Sequence, residues 1–309
     1  MYHALYHVSK ERVYIMEFIP AKTIISGYTE NNSWFGNNYN MNIYKGCCHG
    51  CIYCDSRSEC YRIDEFDKVR AKENALAIIA RELKSKRRAG VIGMGAMSDP
   101  YNPFEGQYRL TRGTLELINI HRFGVSIATK SDLVTRDIDL LNSIKKHSPV
   151  LVKITVTTAD DALCSKIEPY APASSRRFEA VGELSLNGIF TGILLMPVLP
   201  FLEDNEDNIS NIIDLAYEKG AKFIYPAFGV TLRQNQREWF YSKIDEHFPS
   251  IRQKYVKQYG NSYKCASPRA KELWKFFRSR CDRLGILYKM SDIINEYQQN
   301  YLYEQISMF

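Results

Sequence analysis

From residue 90 to residue 226 the chain repeats one unit: a short continuous apolar run, a turn, then an amphipathic stretch. The apolar runs fall at 90–94, 124–129, 150–158, 190–195 and 222–226. Between them, 110–121, 135–146, 174–187 and 207–219 carry apolar residues at helical spacing. Strands with no polar alternation are buried on both faces. Strand–helix alternation with short loops therefore specifies a parallel sheet covered by helices. A further strand near 40–44 and a long helix over 66–88 complete six βα steps, too few for a closed eight-step barrel. The expected fold is α/β, a partial (β/α)6 barrel of TIM type with a C-terminal helical extension.

The organisation read from the sequence is a lead-in at 1–37 with an apolar run at 13–19, the barrel at 38–226, a helical basic extension at 227–300 and a tail at 301–309. The extension breaks the βα rhythm, with helices expected at 233–247, 250–259 and 267–284. It also carries the charge. Residues 226–309 hold 14 Lys and Arg against 8 Asp and Glu, which accounts for the whole +6 of the chain. Such a surface suits a polyanion, or it is a solvated helix face. No apolar run approaches the roughly 18 residues of a membrane span. The N-terminus lacks the basic-then-apolar layout of a signal peptide. Eight cysteines in such a chain point to metal or redox chemistry in a reducing cytoplasm rather than to disulfides.

The first strand is followed by Gly46-Cys47-Cys48-His49-Gly50-Cys51-Ile52-Tyr53-Cys54. Cys47, Cys51 and Cys54 are spaced Cys-x3-Cys-x2-Cys. Three thiolates on one short loop can hold three irons of a [4Fe–4S] cluster and leave the fourth open. Electron-transfer ferredoxins use four cysteines in other spacings. Two other readings stand beside this one: three buried structural cysteines, or zinc with a fourth ligand from His49 or Cys48. Loops after barrel strands lie on the C-terminal edge, where active sites sit.

The cysteine loop resembles the signature of the radical S-adenosylmethionine (SAM) superfamily. Three more segments make the resemblance specific: Met97-Ser98-Asp99-Pro100-Tyr101-Asn102-Pro103-Phe104-Glu105, Thr129-Lys130-Ser131, and Glu168-Pro169-Tyr170-Ala171-Pro172 with Arg176 and Arg177. Together they are similar to the spore photoproduct lyase-like, DNA repair photolyase-type family over about residues 38–226. The resemblance implies that SAM chelates the open iron and is cleaved to methionine and a 5′-deoxyadenosyl radical. It also implies that Tyr53 lies near the adenine, that Lys130 contacts the SAM carboxylate, that Thr155 hydrogen-bonds SAM, and that Met196 offers backbone to the adenine.

Each residue also has a plainer reading. Lys130 is otherwise a rim lysine in solvent, and Thr155 a residue of high β-propensity. Arg177 either clamps a carboxylate bidentately or pairs with Glu168 or Glu179 as scaffold. Asp99 and Glu105 are the catalytic candidates. They order SAM or bind substrate, or else cap a rigid Pro-rich turn. The chain departs from spore photoproduct lyase itself at Gly95-Ala96-Met97-Ser98-Asp99. That enzyme has a hydrogen-donating cysteine just before the Ser-Asp, and this sequence has none there; Cys60, Cys164, Cys265 and Cys281 lie elsewhere.

The expected function is a radical SAM enzyme acting on DNA or another nucleic acid. Trp239, Phe240, Tyr255, Tyr259 and Tyr263 are candidates to stack on bases, or else most of them are core. A second reading is a radical SAM enzyme for a small molecule or peptide. A third, of another class, is a non-catalytic metal-stapled repair accessory protein. The tail Gln305-Ile306-Ser307-Met308-Phe309 resembles the peptide with which bacterial replication and repair proteins bind the sliding clamp. A flavodoxin or ferredoxin is the expected electron donor.

Overall fold

The apolar runs become parallel strands because each must be covered on both faces. The computed structural model describes residues 16–28 and 34–301. Its strands are β1 (Glu17–Ile19), β2 (Ile25–Gly27), β3 (Tyr39–Met41), β4 (Tyr44–Lys45), β5 (Arg70–Lys72), β6 (Val91–Met94), β7 (Gly124–Thr129), β8 (Val150–Thr155), β9 (Phe190–Leu195), β10 (Phe223–Pro226), β11 (Gly229–Thr231) and β12 (Lys264–Ala266). Its helices are α1 (Ala75–Ser85), α2 (Glu105–Tyr108), α3 (Leu110–Ile120), α4 (Ile138–Lys145), α5 (Asp161–Ile167), α6 (Ser174–Leu186), α7 (Glu206–Glu218), α8 (Gln236–His247), α9 (Ile251–Tyr259), α10 (Ala270–Leu284) and α11 (Met290–Gln298).

The main sheet has the order β10-β9-β8-β7-β6-β3-β2. Strands β3 and β6 through β10 are mutually parallel, and β2 is antiparallel at the edge. The six-step α/β expectation holds. Side-chain parity divides the sheet into two faces. On β8, Val150, Val152 and Ile154 join the core beneath the helices, while Leu151 joins an inner cluster. That inner cluster unites Val91, Leu151, Leu194 and Phe223 from β6, β8, β9 and β10. These strands meet side by side only if the sheet curls. Phe35 fills the curl near the strand starts, and Ile293 and Tyr297 of α11 close it. The Tyr297 hydroxyl donates to the Phe35 carbonyl at 2.5 Å.

Two local expectations are corrected. The strand expected at 40–44 is two strands, with β3 in the main sheet and β4 in a small sheet of order β1-β5-β4. The helix expected from 66 begins only at Ala75. Before it, Val69 and Ala71 are buried while Arg70 and Lys72 are half-exposed, a period of two that makes β5.

The C-terminal region also differs from helices alone. Strands β11 and β12 form an antiparallel ribbon that brackets α8 and α9. Helix α10 then returns to the barrel wall against α7, where a sixth βα step places its helix. Leu287 pairs parallel with Phe223, extending the sheet beyond β10. The ribbon and α8–α9 form a cap, and its core is shared with the cysteine loop. Phe240, Tyr241, Ile244 and Tyr255 cluster with Cys51, Ile52 and Tyr53. The tail residues 305–309 lie outside the described residues.

Candidate active site at the strand ends

The parallel sheet puts the segments after β6 to β9 on one edge, and Ser98 of the β6 loop ties the cysteine loop, which follows β4 of the small sheet, to that edge. The cysteine loop follows β4, Asp99 follows β6, Lys130 directly follows β7, Thr155 ends β8 and Met196 directly follows β9. The cysteine loop needs its two glycines. Gly46 and Gly50 have φ of 82° and 70°, and a Cβ on Gly46 would stand 2.5 Å from the Lys68 carbonyl oxygen. A Cβ on Gly50 would stand 2.7 Å from the Tyr170 ring. The loop is tied down on three sides. Cys47 N–H donates to the Phe66 carbonyl at 2.9 Å, Ile52 N–H to the Ile167 carbonyl at 2.9 Å, and the Ser98 hydroxyl to the Gly46 carbonyl.

Cys47, Cys51 and Cys54 carry free thiols. Burial raises all three pKa values, that of Cys47 to about 12, and charge on neighbouring thiols raises those of Cys47 and Cys51 further. Lys130 opposes the rise at Cys51 and Cys54. Thiols so placed ionise when a metal displaces the proton. Among the described residues no three Cys, His, Asp or Glu side chains converge as a single metal ion requires. A cubane's three thiolates each bind a different iron and stand around the cluster, so the donor set fits a cluster better than one zinc. His49 does not supply a fourth ligand: it is buried and its Nδ1 lies 3.4 Å from Asp99 Oδ2. Burial lowers its pKa against the pull of Asp99, with Lys130 and Arg177 adding to the fall. Cys48 packs against the main core.

Behind the loop lies a buried ionic hub. Glu168 pairs with Arg177 at 2.5 Å, both essentially without solvent contact. It accepts the Tyr53 hydroxyl and stands 3.9 Å from the Lys130 ammonium, which lies 5.5 Å from the Tyr53 ring centroid. Burial alone would raise the Glu168 pKa; Arg177, Lys130 and Tyr53 together hold it below the usual carboxylate value. The Lys130 pKa is raised above the ordinary lysine value for the converse reason: burial works against the ammonium, but the negative charge of Glu168, joined by that of Cys51 once its thiol is ionised, outweighs it.

This geometry reassigns several expected site residues. Arg177 faces no open space. Its guanidinium donates to the Pro172 carbonyl at 2.7 Å and the Thr155 carbonyl at 3.0 Å besides pairing with Glu168, so it is scaffold. Glu105 is fully buried away from the loop. It accepts the backbone N–H of Thr111 and Arg112 at the start of α3, the Tyr44 hydroxyl at 2.5 Å and Arg136 Nη2 at 2.9 Å. That is a helix cap, not a catalytic acid. Asp99 stays at the site, but its carboxylate is engaged by Thr129 Oγ1 at 2.6 Å, Tyr101 N–H at 2.9 Å and Lys130 N–H at 2.8 Å. It clasps the end of β7 and so aims Lys130. Lys130, Thr155 and Met196 lie at the ends of β7, β8 and β9, and Tyr53 lies on the cysteine loop.

Sequence reasoning offered Glu168 as a partner of Arg177 but missed its contacts with Tyr53 and Lys130. Its bond to Tyr53 spans 115 residues, and no local pattern announces such a contact. It also missed Gln236 of the cap, whose amide donates to the Tyr53 carbonyl at 3.1 Å, and Asp55, gripped by Arg233 at 3.0 Å. Of the expected base-stacking residues, Phe240 and Tyr255 are fully buried beneath the cap, where aromatic area stabilises the cap–loop contact. Trp239 lies under Arg57 at 4.0 Å, Tyr259 donates to the Ala266 carbonyl, and Tyr263 stays exposed.

An iron–sulfur loop at the C-terminal edge of a six-stranded parallel partial barrel, with a charged lysine beside it, defines a class. The model of the radical SAM superfamily matches residues 41–216, and the chain belongs to that superfamily. Its cofactors are accordingly a [4Fe–4S] cluster and SAM. A relative named as uncharacterized in Mycobacterium tuberculosis is 28% identical over 228 residues, 72% of this chain and 67% of the relative. Another in Methanocaldococcus jannaschii is 38% identical over 174 residues, 55% of this chain and 64% of the relative. The fold is similar to spore photoproduct lyase solved with SAM and dinucleoside spore photoproduct. The TM-score is 0.61 at 14% identity, over 85% of this chain and 79% of that one. Among the described residues no helix is long and apolar enough to cross a membrane.

Proposed function

We propose that this radical SAM enzyme acts on a base of DNA or another nucleic acid, in the manner of spore photoproduct lyase-like repair. Cys47, Cys51 and Cys54 hold the cluster, Lys130 pairs with the SAM carboxylate, and Tyr53, Thr155 and Met196 border its adenosine. When bound, the cluster supplies the electron that cleaves SAM to methionine and a 5′-deoxyadenosyl radical. The chain's own groups do the rest. Asp99 and Glu168 aim Lys130, and the cap shields the cysteine loop from solvent. The observation that carries the nucleic-acid reading is charge placement: the whole +6 resides in the cap and the helices that follow it. The similar fold solved with a dinucleoside ligand supports the same reading. The absence of a cysteine before Ser98 makes the hydrogen donor different from that enzyme's. The setting is a reducing cytoplasm with a flavodoxin or ferredoxin as donor, and the 305–309 tail recruits a sliding clamp.

The test is anaerobic. Protein reconstituted to about four irons is assayed for 5′-deoxyadenosine with dithionite, with and without DNA. Product that rises with DNA supports the reading. Product indifferent to DNA redirects it to a small molecule or peptide, and no product from an intact cluster overturns the assignment of the site.

A further inference from the structure

The aromatic residues first expected to meet bases are largely buried, yet a different surface has the required chemistry. On α10, Lys271, Trp274, Lys275 and Arg278 recur at i, i+3, i+4 and i+7 and are all exposed. They therefore share one face. Its two cationic neighbours at 269 and 280 are occupied, by Glu272 and Asp214. Lys271, Lys275 and Arg278 have no ion-pair or hydrogen-bond partner among the described residues, and the Arg278 guanidinium lies 6.0 Å from the Trp274 ring centroid. Trp274 is 37% exposed but rigidly seated: stacked on Phe277 at 5.7 Å, with the edges of Tyr288 and Phe228 at 5.9 and 6.2 Å. A tryptophan with one face fixed and part of its ring in solvent is a platform rather than a core residue.

The helix starts at the barrel mouth. Just before it, Ser267 donates from its hydroxyl to Asp204 at 2.6 Å and from its N–H to the Phe228 carbonyl at 3.0 Å. Asp204 and Phe228 follow β9 and β10 on the catalytic edge. The stripe thus runs from the mouth down the outer wall for about 10 Å, at 1.5 Å per residue.

We propose that this face of α10 is a track for a single-stranded polynucleotide leaving the barrel mouth. Lys271, Lys275 and Arg278 meet phosphates and Trp274 stacks on an unpaired base. This rests on the nucleic-acid reading above and locates its binding surface. Unpaired cations flanking a fixed aromatic ring are what sequence-tolerant single-strand binding requires. An acidic protein or an anionic membrane would use the cations but has no base to stack on the indole.

The experiment uses the full reconstituted chain and a fluorescein-labelled single-stranded 20-mer, with anisotropy measured over a salt series. The K271A/K275A/R278A variant is expected to bind at least about 30-fold more weakly. Its log–log salt slope should be shallower by about 2, from three lost phosphate contacts at 0.7 each. W274A should lose about fivefold or more. A control, K84A/R87A/R88A, removes equal charge near the end of α1 and should bind nearly as the wild type does. Melting curves check that each variant is folded. If the wild type binds and the α10 variant binds equally well, or both triple variants lose equally, the track is wrong while the nucleic-acid reading stands. If the wild type binds no oligonucleotide, or binds only anionic vesicles, the nucleic-acid reading itself fails.

Discussion

Two lysines on neighbouring strands meet opposite fates. Lys130, at the mouth end of β7, lies 3.9 Å from Glu168 and beside the cysteine loop. Lys153, in the middle of β8, is 1% exposed; its ammonium donates to the Ser126 hydroxyl and lies 4.7 Å from the Phe35 ring centroid. Counter-charge keeps the first pKa above the ordinary lysine value, while burial alone pulls the second down to about 7. The strand ends are thus built to hold charge without water, and the curl of the sheet beneath them is built to refuse it. A SAM carboxylate at the mouth would meet a cation already paid for by Glu168.

Breaking the upper half of that comparison should give the largest effect. Glu168→Gln leaves Arg177 buried without its counter-charge, which typically costs about 3–5 kcal/mol. Urea unfolding at neutral pH should show that loss. Because the folded-state pKa of Glu168 is depressed, the pair's contribution is complete above about pH 4.3 and fades as acid protonates it. Wild type and E168Q should therefore converge on acidification. Equal stability at pH 7 would mean that the hub is not electrostatically coupled.

A smaller, functional effect is expected from Lys130→Met, which removes the charge but keeps the stem. The KM for SAM should rise about tenfold or more, since a hydrogen bond to a charged group contributes about 1.5–3 kcal/mol. The iron content and the spectrum of the SAM-free reduced cluster should not change. An unchanged KM would place the SAM carboxylate elsewhere.

The same comparison marks what the sequence could tell. The wall of the barrel was legible because each strand from β6 to β10 is a local apolar run, and its period needs no knowledge of distant residues. Lys153 was not seen as unusual, because a lysine in such a run looks like any strand lysine until its face is known. The cysteine loop was legible from spacing, and the place of Lys130 at a strand end from the apolar run before it. Glu105 and Arg177 were legible only as one of two alternatives each, and Glu168 only as a partner of Arg177, because the choice is made by partners many residues away: Arg136, Thr155 and Tyr53. The cap aromatics stayed open between bases and core for a related reason. Aromatic residues among basic ones read alike whether they face bases or, like Phe240 and Tyr255, the back of the cysteine loop.

The lower half of the comparison gives the smallest effect and the clearest sign. A lysine whose folded-state pKa is depressed binds fewer protons folded than unfolded, so its presence costs stability most at and below pH 7. That cost shrinks as pH rises toward the unfolded value of about 10.4. Lys153→Met keeps the volume and removes the charge. It should raise stability by about 1–2 kcal/mol at pH 6–7, after allowing for the lost bond to Ser126. The advantage should fall as pH rises, at no more than about 1.4 kcal/mol per pH unit, and be gone by about pH 8–9. Paired unfolding curves from pH 6 to pH 10 measure it directly. An advantage that does not change with pH would show Lys153 to be charged in the fold, held by Phe35 and Ser126 as firmly as Lys130 is held by Glu168.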